Sequence, residues 1–170
     1  MVETAPAGGD VRPVVTTHRI SVSAPVRAPA AEVYSVIADY REGHTRIVPP
    51  RVFTSLEVEQ GGYGAGTEIK VGMRVFGFRR SFRAFITEPE PGRILRETDR
   101  ASGTVTSFTV EPGADGVTTV TIDTSIPGRA GWFGAIERRM ISNLLTPLYE
   151  EELARLASVV ESPAGAMASR

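Results

Sequence analysis

The feature that most constrains the fold of this chain is a long amphipathic stretch near its C-terminus, residues 131–161. Its apolar residues recur at steps of three and four positions, and they include Phe133, Ile136, Met140, Ile141, Leu144, Leu145 and Leu148. This spacing predicts one α-helix with a broad apolar stripe. A helix about as long as a small domain is wide is not stable alone in water, so the rest of the chain must supply an apolar surface that receives it.

Two residues interrupt the regularity of this helix. Pro147 lies in its middle, where proline removes a backbone hydrogen bond, so we expect a kink that aims the second half of the helix at the sheet. Glu137 falls inside the apolar stripe. Either it complements the positive end of the helix dipole, or it is a carboxylate inside a cavity that Arg80 or a ligand stabilises.

Upstream of the helix, the sequence carries the alternating pattern of β-strands. Residues 17–24 predict a first strand, and residues 30–40 and 42–48 predict two short helices. Six more strand patterns follow, at residues 52–59, 67–75, 78–88, 94–98, 104–110 and 120–126. Short turns rich in glycine and proline separate them, so we predict an antiparallel meander with the helices on one face.

The hairpin between the third and fourth strands predicts which side chains face inward. A two-residue turn at residues 76–77 gives three facing pairs, Val75–Phe78, Met73–Arg80 and Val71–Phe82. Alternation then gives an inward set that is bulky and mostly apolar: Met73, Phe78, Phe82, Phe108 and Ile122. Such a sheet and helix either pack shut or leave a pocket between them.

The composition of this 170-residue chain excludes several functional classes. A formal net charge of −1 gives no electrostatic argument for binding nucleic acid or an anionic membrane. The absence of cysteine excludes disulfides and thiolate chemistry. No stretch approaches the ~20 apolar residues of a membrane span, and no secretory signal is visible. We therefore expect a cytoplasmic protein with one domain at residues 17–161, a disordered lead-in at 1–16 and a flexible tail at 162–170.

No motif in the sequence predicts a metal or a cofactor. The glycine-rich residues 61–66 lead into a strand rather than a helix, so they predict a hairpin turn and not a phosphate loop. His18 is expected to be solvated, and His44 to lie at the surface or at the mouth of a cavity. Arg96 and Glu97 point to opposite faces of one strand, and either could be the inward one.

The order of the elements and several motifs resemble the SRPBCC superfamily, also called START-like or polyketide cyclase/dehydrase-like. The motifs are VYSVIADYREGHTRIVPP (residues 33–50), GGYGAGTEI (61–69), EPEPGRILRETD (88–99) and the closing helix. The resemblance implies an α+β helix-grip fold. In that fold a curved antiparallel sheet of about seven strands wraps around a long C-terminal helix, two short helices follow the first strand, and a hydrophobic cavity separates sheet and helix. Members bind lipids, sterols, quinones, plant hormones or polyketides, and a minority are cyclases or aromatases.

We therefore expect this chain to bind a small hydrophobic or amphipathic molecule. The alternatives are a cyclase or aromatase that acts on a polyketide-like substrate, and a protein-interaction module; no catalytic residue is assigned. A compact set of titratable side chains in the cavity would favour the enzyme, and a filled interior would favour the interaction module. The ligand-binding set expected from the inward phase is Met73, Arg80, Phe82, Phe108, Glu137, Met140, Ile141 and Leu144.

Overall fold

The computed structural model describes residues 16–75 and 77–162. Seven strands form one antiparallel sheet in the order β1-β7-β6-β5-β4-β3-β2. The strands are β1 (Thr16–Val26), β2 (Phe53–Gln60), β3 (Glu68–Val75), β4 (Phe78–Glu90), β5 (Ile94–Asp99), β6 (Thr104–Pro112) and β7 (Thr118–Gly128). The helices are α1 (Ala30–Ala38), α2 (Gly43–Ile47) and α3 (Gly131–Glu161). This arrangement confirms the predicted α+β helix-grip fold.

The strand patterns predicted the sheet to within two residues at each strand end. All three predicted pairs of the β3–β4 hairpin are present, namely Val75–Phe78, Met73–Arg80 and Val71–Phe82. Alternation predicts these positions well because each strand buries one face only. The predicted lead-in and tail lie outside the described residues, apart from Thr16, which begins β1, and Ser162.

The β3–β4 hairpin projects beyond the rest of the sheet. β3 accompanies β4 from Phe78 onward, whereas the pairing of β5 with β4 begins only at Thr98 and Phe85. β7 ends at this same end of the sheet, and α3 begins three residues later at Gly131. We call this the hairpin end of the molecule. The end of α1 and the turn between β2 and β3 meet at the opposite end, where the N–H of Gly64 donates a hydrogen bond to the Ala38 carbonyl.

The two halves of α3 differ in how they pack. Leu148, Leu153 and Leu156 of the second half are each 1% exposed and contact the core. In the first half, Phe133 is 60% exposed and Met140 57% exposed. The prediction that the stripe of the first half faces the sheet is therefore wrong.

Helix phase explains this error. The buried face of the second half continues backward through Leu145 and Ile141, which are half-buried. Phe133, Ile136 and Met140 lie about 120° or more around the helix from Leu145. The predicted stripe thus merged two faces, of which only one packs. The helix runs through Pro147 without a break, and the expected kink stays a prediction.

Substitutions in the two halves of α3 should differ in their effect on stability. Leu153→Ala removes a buried side chain and should lower the free energy of unfolding by about 2–5 kcal/mol. Met140→Ala, on the exposed side of the same helix, should change it by less than about 0.5 kcal/mol. Urea denaturation followed by circular dichroism measures both values. Equal losses in the two variants would contradict the asymmetric packing of α3.

Candidate functional site

A cavity of about 260 Å³ lies between the sheet and the second half of α3. The sheet and the helix therefore do not pack shut. Most of the cavity wall is apolar, and it includes Phe53, Leu56, Ile69, Val71, Met73, Phe82, Phe108, Ile126, Leu145 and Leu148. The polar part of the wall is formed by His44, Glu97, Thr106, Thr124, Tyr149 and Glu152, with Asp99 and Thr104 at its margin.

A tight connection between α1 and α2 places His44 in this wall. The Asp39 carboxylate accepts hydrogen bonds from the backbone N–H groups of Arg41, Glu42 and Gly43, so it caps the start of α2. Gly43 packs so closely on α1 that a Cβ atom there would lie 2.5 Å from the carbonyl oxygen of Val36. A larger residue would push α2 outward and remove the next residue, His44, from the cavity.

The His44 ring is held on several sides. Its Nδ1 lies 2.7 Å from the Ile37 carbonyl oxygen. A carbonyl oxygen only accepts hydrogen bonds, so Nδ1 carries the hydrogen. The ring stacks on Tyr40 at 4.5 Å between centroids and meets the edge of Phe108 at 5.5 Å. In a neutral imidazole, Nε2 is therefore the free acceptor atom.

Two carboxyl groups face Nε2 of His44. One Glu97 oxygen lies 3.6 Å from it, and one Glu152 oxygen lies 4.0 Å from it. Glu97 follows the buried Leu95 by two residues on β5, so alternation turns it inward, and the Tyr40 hydroxyl donates a 2.6 Å hydrogen bond to it. Arg96 points outward and is exposed. The choice left open between Arg96 and Glu97 is thus settled in favour of Glu97.

Glu152 lies on the buried face of α3, between Leu148, Leu153 and Leu156, and is 3% exposed. Burial raises the pKa of Glu152 well above its usual range, and the negative charge of Glu97 raises it further. Burial therefore favours the protonated form of Glu152. In that form it offers an O–H donor next to Glu97.

A chain of hydroxyl groups completes the polar wall. The Tyr149 hydroxyl lies 2.6 Å from the Thr124 hydroxyl, which lies 2.9 Å from that of Thr106. Burial raises the pKa of Tyr149 to about 12. Burial, followed by the charge of Glu97, also raises the pKa of Tyr40 well above its usual value. Both phenols therefore stay protonated and can serve as hydrogen-bond donors.

The structure brings some of the predicted ligand-binding residues to the cavity and not others. Met73, Phe82 and Phe108 line it. Ile141 and Leu144 are half-buried on α3 without lining it, and Arg80 and Met140 are exposed. Arg80 shares the inward face of β4 with Phe82, but it lies on the projecting hairpin and is exposed there.

Glu137 does not line the cavity either. Its carboxylate accepts a 3.4 Å hydrogen bond from the backbone N–H of Arg129 and lies 3.7 Å from Nε2 of His18. This position agrees with the interpretation of Glu137 as an acid at the start of the helix. His18 itself is 5% exposed and packs on Gly128, so the prediction of a solvated His18 is wrong.

The main polar residues of the site were missed by the sequence analysis. His44 is buried in the cavity wall, so the expectation that it could lie at the surface is wrong. Glu152 had a usable signal, because its helical phase lies between those of Leu148 and Leu156. The sequence analysis singled out Glu137 because it falls inside the apolar stripe of the helix. The same argument, made for the second half of α3, would have singled out Glu152. The helical phase of Tyr149 likewise places its hydroxyl on the packed side of α3.

Two other observations bound the site. A larger groove of about 410 Å³ lies beside the first half of β4, between Lys70, Arg83 and Arg100, but it is shallower and is lined partly by exposed charged side chains. We therefore place the candidate site in the cavity beneath α3. Within the described residues, no group of three or more His, Asp or Glu side chains is arranged to hold a metal ion.

A curved antiparallel sheet closed by one long helix, with a part-polar cavity between them, defines a helix-grip protein of the SRPBCC superfamily. The chain belongs to the family described as polyketide cyclase / dehydrase and lipid transport, whose model matches residues 17–161. The resemblance inferred from the sequence motifs is thereby confirmed. None of the curated proteins compared with the chain matches it.

Solved structures share this fold. The chain is similar to the KanY protein (ms6282), with 25% identity, a TM-score of 0.72 and coverage of 86% of this chain and 98% of that one. It is similar to the Zhui aromatase/cyclase from Streptomyces sp. R1128, with 18% identity, a TM-score of 0.69 and coverage of 91% and 100%. It is also similar to a START superfamily protein from Mycobacterium smegmatis, with 15% identity, a TM-score of 0.64 and coverage of 85% of this chain and 97% of that one.

Among residues 16–75 and 77–162, no helix is both long and apolar enough to span a membrane.

The raised pKa of Glu152 should make stability depend on pH in a defined direction. Between the ordinary value of 4.5 and the higher folded-state value, the folded protein holds a proton that the unfolded chain releases. The free energy of unfolding therefore falls as pH rises through this window. The side chain of Glu152→Gln stays neutral at every pH, so this variant should not lose stability in the window. As pH rises, its free energy of unfolding should increase relative to that of the wild type by up to about 1.4 kcal/mol per pH unit. Urea denaturation at several pH values from about 5 to about 8 measures this difference.

The matched control is Glu150→Gln, an exposed position on the same helix. Its stability should follow that of the wild type at every pH. Parallel curves for Glu152→Gln and the wild type would mean that Glu152 is already ionised in the folded protein.

Proposed function

We propose that this protein binds a small, mainly apolar molecule whose polar end donates hydrogen bonds. The observation that carries the proposal is the pair of carboxyl groups, Glu97 and Glu152, in an otherwise apolar cavity. No lysine or arginine among the described residues lines this cavity. An anionic ligand would place its charge beside that of Glu97 without a compensating cation, so hydroxyl or amine groups fit and a carboxylate does not.

The size of the cavity limits the ligand further. Its volume of about 260 Å³ is slightly below the usual range of ligand pockets, roughly 300–1,000 Å³. A compact ligand of about two fused rings is therefore the appropriate class. The family description, which includes lipid transport, and the aromatase/cyclase with the same fold both agree with an apolar or aromatic ligand.

Two probes with the same apolar body test the proposed polarity. By titration calorimetry at neutral pH, 2-naphthol should bind at least about tenfold more tightly than 2-naphthoate, because a hydrogen bond to a charged acceptor contributes about 1.5–3 kcal/mol. Glu97→Gln should remove most of this preference. Tighter binding of 2-naphthoate would contradict a cavity that selects hydrogen-bond donors.

A pair of neighbouring variants tests the location. Leu145 lines the cavity, whereas Leu144 is half-buried beside it and does not. Leu145→Trp should fill the cavity and abolish 2-naphthol binding, and Leu144→Trp should retain it. Circular dichroism establishes that both variants are folded. Unchanged binding to folded Leu145→Trp would place the ligand elsewhere.

The same wall supports a second candidate function, proton-transfer catalysis of the cyclase or dehydratase type. The specific observation is the orientation of His44, whose Nε2 faces the cavity carboxyls while Nδ1 is bound to the Ile37 carbonyl. In this proposal Nε2 removes a proton from a carbon next to a carbonyl group. The electron pair of the C–H bond moves into the enolate, and the O–H group of Glu152 stabilises the negative oxygen.

Deuterium exchange tests this second function without the natural substrate. In D₂O, the wild type should accelerate the exchange of the α-protons of 2-tetralone, as measured by NMR. His44→Gln and Glu152→Gln should each lower the catalysed rate at least about a hundredfold, and Glu150→Gln should not. Exchange at the buffer rate despite binding of 2-tetralone would exclude catalysis and leave the binding function intact.

A further inference from the structure

The hairpin end carries most of the large apolar side chains that are exposed. Six such side chains occur in the described part of the chain, and five of them lie at this end: Phe78, Trp132, Phe133, Ile136 and Met140. The sixth, Tyr63, lies in the turn between β2 and β3 at the opposite end. Isolated exposed apolar residues are common, but such a cluster at one end marks an interaction surface.

Arginines surround these apolar side chains. Residues 74–75, 77–80 and 129–140, which we call the docking surface, contain six arginines and one carboxylate, whereas the whole chain is nearly balanced with 19 basic and 20 acidic residues. The six are Arg74, Arg79, Arg80, Arg129, Arg138 and Arg139, and all are exposed. None of them forms an ion pair with another described residue, whereas Arg19, Arg51, Arg83, Arg93 and Arg155 all do.

The first turns of α3 have the form of a helix at a membrane interface. Between residues 131 and 140, only Gly134 is buried and Glu137 half-buried. Trp132, Ile136 and Met140 follow one another at steps of four, so they form one apolar stripe. Arg139 lies beside this stripe, whereas Arg138 lies near the opposite, packed face of the helix. An apolar stripe with aromatic residues and a flanking arginine is typical of helices that lie in the head-group region of a bilayer.

We propose that the docking surface binds an anionic phospholipid bilayer, with its apolar side chains among the head groups and its arginines on the lipid phosphates. This inference goes beyond the proposed function, because it does not depend on what the cavity holds. A second copy of the chain is disfavoured, since six unpaired arginines would face six more. A fluid lipid surface also accommodates side chains that project from two separate elements, the β3–β4 hairpin and α3.

Trp132 provides a direct measurement, because it is the only tryptophan in the chain. Its fluorescence should shift to the blue with vesicles of phosphatidylcholine and about one third phosphatidylglycerol, and not with phosphatidylcholine alone. Brominated acyl chains should quench it. About 0.5 M salt should reverse most of the binding, because the Debye length then falls to a few ångströms.

Variants distinguish this surface from nonspecific adsorption. In vesicle sedimentation, the double variant Arg80→Gln/Arg139→Gln should reduce partitioning about 25-fold, or about fivefold per arginine. Phe78→Ser should also weaken partitioning, although Phe78 is far from α3 in sequence. Tyr63→Ser and Arg27→Gln, at the opposite end, are the matched controls and should bind like the wild type.

Three results would overturn the proposal. The first is an unchanged Trp132 spectrum with anionic vesicles. The second is equal partitioning of the double arginine variant and the wild type. The third is a blue shift that depends on protein concentration without vesicles, together with a dimer in analytical ultracentrifugation, which would place a second copy on the surface.

Discussion

The packing of the second half of α3 on the sheet is the contact on which the rest of the structure depends. Leu148, Leu153 and Leu156 are almost completely buried there, and each contributes about 1.5–3 kcal/mol through removal of apolar surface from water. Because Tyr149 and Glu152 lie on the same helical face, this packing also carries them inside. The polar wall of the cavity is thus a direct consequence of how the helix is seated.

The buried polar groups of this wall differ in how far they are satisfied. Tyr40 donates to Glu97, His44 donates to the Ile37 carbonyl, and the Tyr149 hydroxyl joins the Thr124 hydroxyl. These bonds hold their side chains in fixed positions, so the site is formed before any ligand arrives. For Glu152, burial instead raises the pKa and favours the protonated form. A group in that state gains most from a ligand that supplies a hydrogen-bond partner.

Features that depend on neighbouring residues in the sequence could be predicted, and features that depend on contacts between distant segments could not. Strands, hairpin register and the bounds of α3 followed from local periodicity. The packed face of α3 was wrong because Phe133, Ile136 and Met140 lie on a second apolar face of the helix, and no local pattern shows which of the two faces packs on the sheet. The buried position of His44 depends on the capping of α2 by Asp39 and on the close contact of Gly43 with α1, which the local sequence pattern does not reveal. Glu97 and Arg96 are equivalent by alternation, and only the assembled sheet distinguishes them.

The two glutamates of the cavity, Glu97 and Glu152, and the apolar residues Met73 and Leu145 lie toward different ends of the molecule, and this has a consequence for the direction of binding. His44, Tyr149 and Glu152 belong to α2 and the second half of α3, whereas Met73 and Leu145 lie nearer the hairpin end. A ligand that donates hydrogen bonds to the carboxyl groups must therefore direct its apolar body toward the hairpin end. If that end docks on a bilayer, the apolar body passes between lipid and cavity with little exposure to water. The apolar end of the bound ligand and the docking surface would then lie at the same end of the molecule.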